Sequence, residues 1–136
     1  MKYKYFDLKE FASPDEPGSG KHMQHEFLKM LDLAREEAGV PFKITSGFRT
    51  EAYNKDLLKR GYKASKNSSH LKGCAADIAC SSSDKRIKIV KALIKVGYTR
   101  LGIAKSFIHV DSDPSKSAAI WLYKYGKERK NKKERK

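Results

Sequence analysis

Three stretches of this chain repeat apolar residues at helical spacing and end at a glycine, while the segments between them alternate over only four to seven positions. Met23, Phe27, Met30, Leu31, Ala34 and Ala38 mark the first helix, stopped by Gly39 and Pro41. A second runs from Thr50, placed to cap it, to Arg60 ahead of Gly61. The third opens at Ser83 and Asp84 and reaches Val96 ahead of Gly97, with Ile87, Val90, Ala92, Leu93, Ile94 and Val96 expected on its buried side. Phe42–Thr45, Cys74–Cys80, Thr99–Ala104, Phe107–Asp111 and Ala118–Tyr123 read as short strands, the third and fourth close enough to form a hairpin. Helix and strand follow one another without the regular alternation of a doubly wound sheet, so the fold class is α+β.

With 136 residues the chain suits one domain, expected over residues 1–125, followed by a basic, disordered tail over 126–136. Residues 1–21 read as a loop, because Ser13-Pro14-Asp15-Glu16-Pro17-Gly18-Ser19-Gly20 is a dense cluster of turn formers. Lys127 to Lys136 hold seven basic and two acidic side chains, +5 of the net +14, which leaves +9 on the rest. A field of that sign concentrates polyanions such as nucleic acid, teichoic acids, lipopolysaccharide or an acidic membrane face, and so narrows the partner without naming the reaction. No nucleic-acid motif accompanies Tyr3, Tyr5 or Trp121, so specific nucleic-acid binding is not expected. No apolar run is long enough to span a bilayer, and Met1–Asp7 lacks the apolar core of a secretory signal. Synthesis in the cytoplasm without a signal peptide, as a monomer, is the expectation. Cys74 and Cys80 lie about 20 Å apart if they share a strand, too far for a disulfide, and both are expected to be reduced and buried.

Of four histidines, His70 and His109 stand beside glycine-rich or strand sequence with acids close by, whereas His22 and His25 begin a charged helix. On a strand, Phe107, His109 and Asp111 point to one face, and Ala75, Asp77 and Ala79 to one face of another. His70, Asp77 and His109 are the number and kind of side chain with which a catalytic zinc keeps one position open for water. Spacing alone is weak support, since a His and an Asp seven positions apart more often share a surface hydrogen bond. His22 with His25 is a second, less favoured metal pair.

The order of the motifs adds a resemblance. Ser46-Gly47-Phe48-Arg49-Thr50 with Tyr53-Asn54, the pattern Ser68-x-His70-x-x-Gly73-x-Ala75-x-Asp77, Gly102-Ile103, and Phe107-Ile108-His109-Val110-Asp111 together resemble the M15 peptidase family, from about Phe6 to Tyr123. That family comprises zinc D-alanyl-D-alanine carboxypeptidases, L-alanyl-D-glutamate endolysins of phages and related domains. The resemblance implies a small hedgehog/DD-peptidase-like domain, an antiparallel sheet with helices packed on one side. It further implies Zn2+ held by His70, Asp77 and His109, and peptide-bond hydrolysis in the stem peptides of peptidoglycan. Anionic cell-wall polymers are then possible partners, and a phage or prophage lysin would act at the cell wall.

By itself Arg49 reads as a structural cap or solvated charge, and the resemblance implies instead that it reaches the substrate's carboxylate or scissile carbonyl; Ser69 is expected to contact substrate or to close the loop. Several family members carry an acid three positions before the last zinc histidine, where this chain has Ser106. Asp111 is therefore the expected catalytic carboxylate, activating water or orienting His109 through its second ring nitrogen, with Asp113 a weaker substitute. The missing acid also makes a rival credible, a catalytically inactive zinc-site domain that binds cell wall.

Overall fold

The computed structural model describes residues 2–62 and 64–124, so the basic segment 126–136 lies outside the described residues. After two 3-10 turns, Leu8–Phe11 and Ser19–His22, come α1 (His25–Ala38), β1 (Ile44–Ser46) and α2 (Glu51–Lys59). A third 3-10 turn, Ser69–Lys72, leads into β2 (Ala75–Ala79), α3 (Ser83–Val96), β3 (Arg100–Ile103), β4 (Phe107–Asp111) and β5 (Ala119–Leu122). The strands form one sheet in the order β1-β2-β4-β3-β5, and the class is α+β as the irregular succession of elements predicts. Pairing is antiparallel from β1 to β3, with β3 and β4 in the expected hairpin, but β5 runs parallel to β3. A parallel partner cannot follow from a tight turn. The chain from Ser112 to Ala118 therefore crosses from β4 to the far edge of β3.

Strand alternation assigns the two faces. Ala76, Ile78, Leu101, Ile108 and Val110 point to one side and are buried under α1 and α3, which supply Phe27, Leu28, Leu31, Ala34, Ile89, Ala92 and Leu93. Tyr98 ties the layers together, donating its hydroxyl to the Phe27 carbonyl at 2.6 Å. No helix among the described residues is long and apolar enough to cross a membrane.

The buried face of α3 differs from the expected one. Ile89, Ala92, Leu93 and Val96 share a stripe, while Ile87 and Ile94 lie about 150° round the helix, and these two are 56% and 50% exposed. Packing against α1 selects between two apolar stripes that sequence periodicity alone does not separate. The amino-terminal segment likewise is more than a loop, since Phe6 and Phe11 belong to the core. Phe48 N–H donates to the Phe11 carbonyl at 2.8 Å, and a Cβ on Gly47 would stand 2.7 Å from the Phe11 Cα. Only glycine allows that approach. Cys74 and Cys80 are buried free thiols flanking β2, with burial pushing the Cys74 thiol up to about 11.

Candidate metal centre

The opposite face of the sheet carries the polar row. In register across the strands stand Ser46, Asp77, His109, Gly102 and Trp121, and beside them Ala75, Asp111, Arg100 and Ala119. Asp77 and His109 are thus direct cross-strand partners, which brings their side chains together without further help from the loops.

His70 arrives from the 3-10 turn. Ser68 caps that turn by accepting from His70 N–H at 3.2 Å, and Gly73 closes it at φ 73°. A Cβ on Gly73 would sit 2.3 Å from the His22 carbonyl oxygen, so this corner admits glycine alone. The His70 Nδ1 stands 2.7 Å from the Gly47 carbonyl, an acceptor only, and hence carries the proton. Its Nε2 lone pair then faces Asp77 Oδ1 at 3.4 Å. Asp77 Oδ1 also meets His109 Nδ1 at 2.9 Å. One donor atom from each of these three residues lies within 4.8 Å of the others, in a buried to half-buried cluster.

Electrostatics fit this arrangement to a cation. Burial dominates at His70 and lowers its pKa, leaving a neutral imidazole. Burial would raise Asp77, yet the imidazoles of His70 and His109 hold it well below the usual carboxylate range. At His109 burial alone would lower the pKa, but Asp111 and Asp77, one on each ring nitrogen, raise it. Two imidazoles and a carboxylate therefore converge on one point, and two imidazole nitrogens with one anionic oxygen are a donor set that suits a divalent zinc-like ion.

Around this centre the chain places a second set of groups. Asp111 is 1% exposed; its Oδ2 is 2.7 Å from His109 Nε2, and its Oδ1 accepts from Arg100 Nε at 2.7 Å and from Asp113 N–H at 3.1 Å. Arg100 also donates to the Ser117 carbonyl at 2.6 Å and stacks over Trp121 at 4.8 Å. Arg49 is buried, held by Ser46 Oγ at 3.1 Å and Asn54 Oδ1 at 3.3 Å, and points its remaining nitrogen at Asp77 Oδ2, 3.6 Å away. Ser69, expected as a substrate contact, donates its hydroxyl to Asp113 Oδ2 at 2.8 Å and accepts from Lys116 Nζ at 3.0 Å, which leaves it a loop-fixing geometry.

A cavity of about 390 Å³ opens on the centre, bounded by Arg49, His70, Asp77, His109, Trp121 and Tyr123 among others. Ser106 is not part of its wall; it is exposed in the β3–β4 turn, where its carbonyl accepts from Cys80 N–H. His22 and His25 are not brought together: the His22 ring packs on Phe48, 5.1 Å between centroids, and His25 Nδ1 bonds the Tyr3 hydroxyl at 2.7 Å. Sequence reasoning missed Arg100, Tyr123 and the wall role of Trp121. The register of the β3–β4 hairpin would have paired Arg100 with Asp111, but nothing local announces a parallel β5.

Gly102 makes the aromatic wall possible. A Cβ there would lie 2.6 Å from Trp121 Nε1 and 2.7 Å from a Tyr123 ring carbon. Gly102→Ala is expected to push both rings toward the cavity at an overpacking cost of about 1–3 kcal/mol. A lowered Tm would register it, and an unchanged Tm would count against the packing argument.

Comparison with known proteins is consistent with this geometry. The sequence pattern of a family described as Peptidase M15 matches residues 4–111. Among solved structures the chain is similar in fold to one titled Serratia marcescens L-Ala D-Glu endopeptidase ChiX, at 22% identity and a TM-score of 0.50. That match covers 56% of this chain and 62% of the Serratia marcescens chain, under two thirds of the latter's length. No curated protein matches the chain.

Proposed function

The chain belongs to the peptidase M15 family, and from that we propose that it is a zinc-dependent peptidase hydrolysing peptide bonds in peptidoglycan stem peptides. The observation that carries the reading is the convergence of His70, Asp77 and His109 donors within 4.8 Å of one another at the wall of a cavity that also presents Arg49. His70 Nε2, Asp77 Oδ1 and His109 Nδ1 would hold the ion. When bound, zinc supplies a lowered water pKa and a polarised carbonyl.

The chain's own groups do the rest. Asp111 accepts from His109 Nε2–H, which fixes the tautomer and aims Nδ1 at the centre. That places Asp111 behind the ring and suits the orienting role rather than the water-activating one. Arg100 holds Asp111 in turn. Arg49, preset by Ser46 and Asn54, is a fixed guanidinium beside the reacting position, suited to the substrate's carboxylate or to charge developing on its carbonyl. The +14 charge favours an anionic wall as the place of action, and a phage or prophage lysin is the setting in which such a chain would work.

A second reading has one observation behind it: the only carboxylates among the described residues lining the cavity are Asp77 and Asp111, both committed to histidines. A wall-binding domain without hydrolysis would look like this. Mass spectrometry of purified peptidoglycan incubated with the zinc-loaded protein separates the two. New amino and carboxyl ends are expected, abolished by a chelator and restored by zinc, and their identity names the bond, with L-Ala–D-Glu the first to look for. Binding to wall fragments with no new ends would establish the inactive domain instead.

A further inference from the structure

We propose that Tyr123 is a catalytic residue of this peptidase, donating its phenolic O–H to the scissile carbonyl oxygen as negative charge develops there. The inference rests on the peptidase reading. Its starting point is the inventory of the cavity wall. Asp77 and Asp111 are committed to the histidines, Ser69 to Asp113 and Lys116, and Arg100 to Asp111 and the Ser117 carbonyl. Ser65 and Ser68 accept from backbone N–H groups of their own loop, Lys116 also donates to the Asn67 carbonyl, and Arg49 faces Asp77, so the Tyr123 hydroxyl is the one O–H on the described wall outside the Ser65–Ser69 loop.

Tyr123 is held where it stands by three constraints. Its backbone N–H donates to the Ile103 carbonyl at 2.9 Å, extending the β3–β5 ladder by one residue. Its ring packs on Phe107 and Trp121, at 5.2 and 6.3 Å between centroids. The missing side chain of Gly102 gives both rings their room. Trp121 in turn packs on His109 at 5.5 Å, which puts the pair beside a proposed zinc ligand. Tyr123 lines the same cavity as Arg49, Asp77 and His109.

Such a donor is worth most in the transition state. A carbonyl oxygen gains charge as the carbon becomes tetrahedral, and a prepositioned O–H strengthens its hydrogen bond as that happens. The proton stays on the tyrosine, so no co-reactant is required. Arg49 and Tyr123 come from opposite margins of the sheet, the loop after β1 and the end of β5, and can flank one carbonyl. β5 and Tyr123 lie beyond residues 4–111, the span that matches the family.

The test compares zinc-loaded wild type with Tyr123→Phe and Trp121→Phe on a soluble muropeptide. It measures kcat and KM, zinc content, and the calorimetric Kd of a phosphinate analogue of the tetrahedral state. For Tyr123→Phe, kcat is expected to fall about 100-fold with KM nearly unchanged, and the analogue to weaken by a similar factor at full zinc content. Trp121→Phe, which keeps the phenol but shrinks the ring it packs against, should give a smaller loss of the same kind. Unchanged kcat in Tyr123→Phe, or a loss confined to KM, overturns the inference while the peptidase reading stands. A wild type without turnover removes that reading, and this one with it.

Discussion

Asp77→Asn should, on the proposed zinc-peptidase reading, strip the protein of zinc and of hydrolysis together, the largest effect expected from any single side chain. Asp77 alone faces both His70 Nε2 and His109 Nδ1, and its second oxygen faces Arg49. An asparagine keeps the shape and loses the anion, so the centre retains two neutral imidazoles and the nearby guanidinium, a poor host for a divalent cation. Several kcal/mol of charge stabilisation then vanish from the reaction, and kcat/KM should drop on the order of 10³-fold or more. Asp111→Asn offers the contrast. It acts through the His109 ring and should weaken metal affinity by only about 10–100-fold, so that excess zinc restores part of the activity. Zinc titration of both variants, read beside turnover, checks the pair. Tight, stoichiometric zinc in Asp77→Asn would mean that the ion binds elsewhere.

Why these residues were legible follows from strand geometry. A period of two obliges Asp77 to share a face with Ala75 and Ala79, and His109 with Phe107 and Asp111, whatever the rest of the fold does. Gly39, Gly61 and Gly97 announce the helix ends because each adopts a positive φ that other residues resist. What escaped depends on contacts distant in sequence. Ile87 and Ile94 satisfy helical spacing as well as Ile89 and Leu93 do, and only the position of α1 decides between them. Phe6 and Phe11 reach the core from a segment rich in turn formers, through 3-10 turns with no periodic signature. Trp121 and Tyr123 join the site because the crossover from Ser112 to Ala118 delivers β5 beside β3, and a parallel register leaves no local mark. The donors that converge were readable as a pattern; the groups that orient them required the sheet.

That crossover is itself held by one buried carboxylate, and Asp113→Ala should be the most destabilising change outside the core. The side chain of Asp113 is fully buried. Its Oδ1 accepts from Ser115 N–H at 3.0 Å, Ser115 Oγ at 2.7 Å and Lys72 Nζ at 2.9 Å, and its Oδ2 from Ser69 Oγ at 2.8 Å. Lys72 and Lys116 are partly solvated and can return to water, so the cost falls mainly on the hydroxyl and amide donors left unmatched. About 2–4 kcal/mol is expected, which for a domain of this size lowers Tm on the order of 10 °C. Burial would raise the Asp113 pKa, but the hydrogen bonds from Lys72, Ser115 and Ser69 hold it well below the usual carboxylate range. A group depressed in the folded state stabilises fully above its unfolded pKa, near 4, and loses that contribution as pH falls toward the folded value. The gap in stability between wild type and Asp113→Ala should therefore be constant from neutral pH down to about 5 and narrow below 4. Asp77 and Asp111 titrate in the same acid range, but they are present in both proteins and cancel in the difference. A gap that does not close in acid would mean that the loop is held by packing rather than by charge. Because Ser69 directly precedes His70, loosening the bond to Asp113 should also relax the turn that aims the imidazole, so activity should fall further than the loss of folded protein explains.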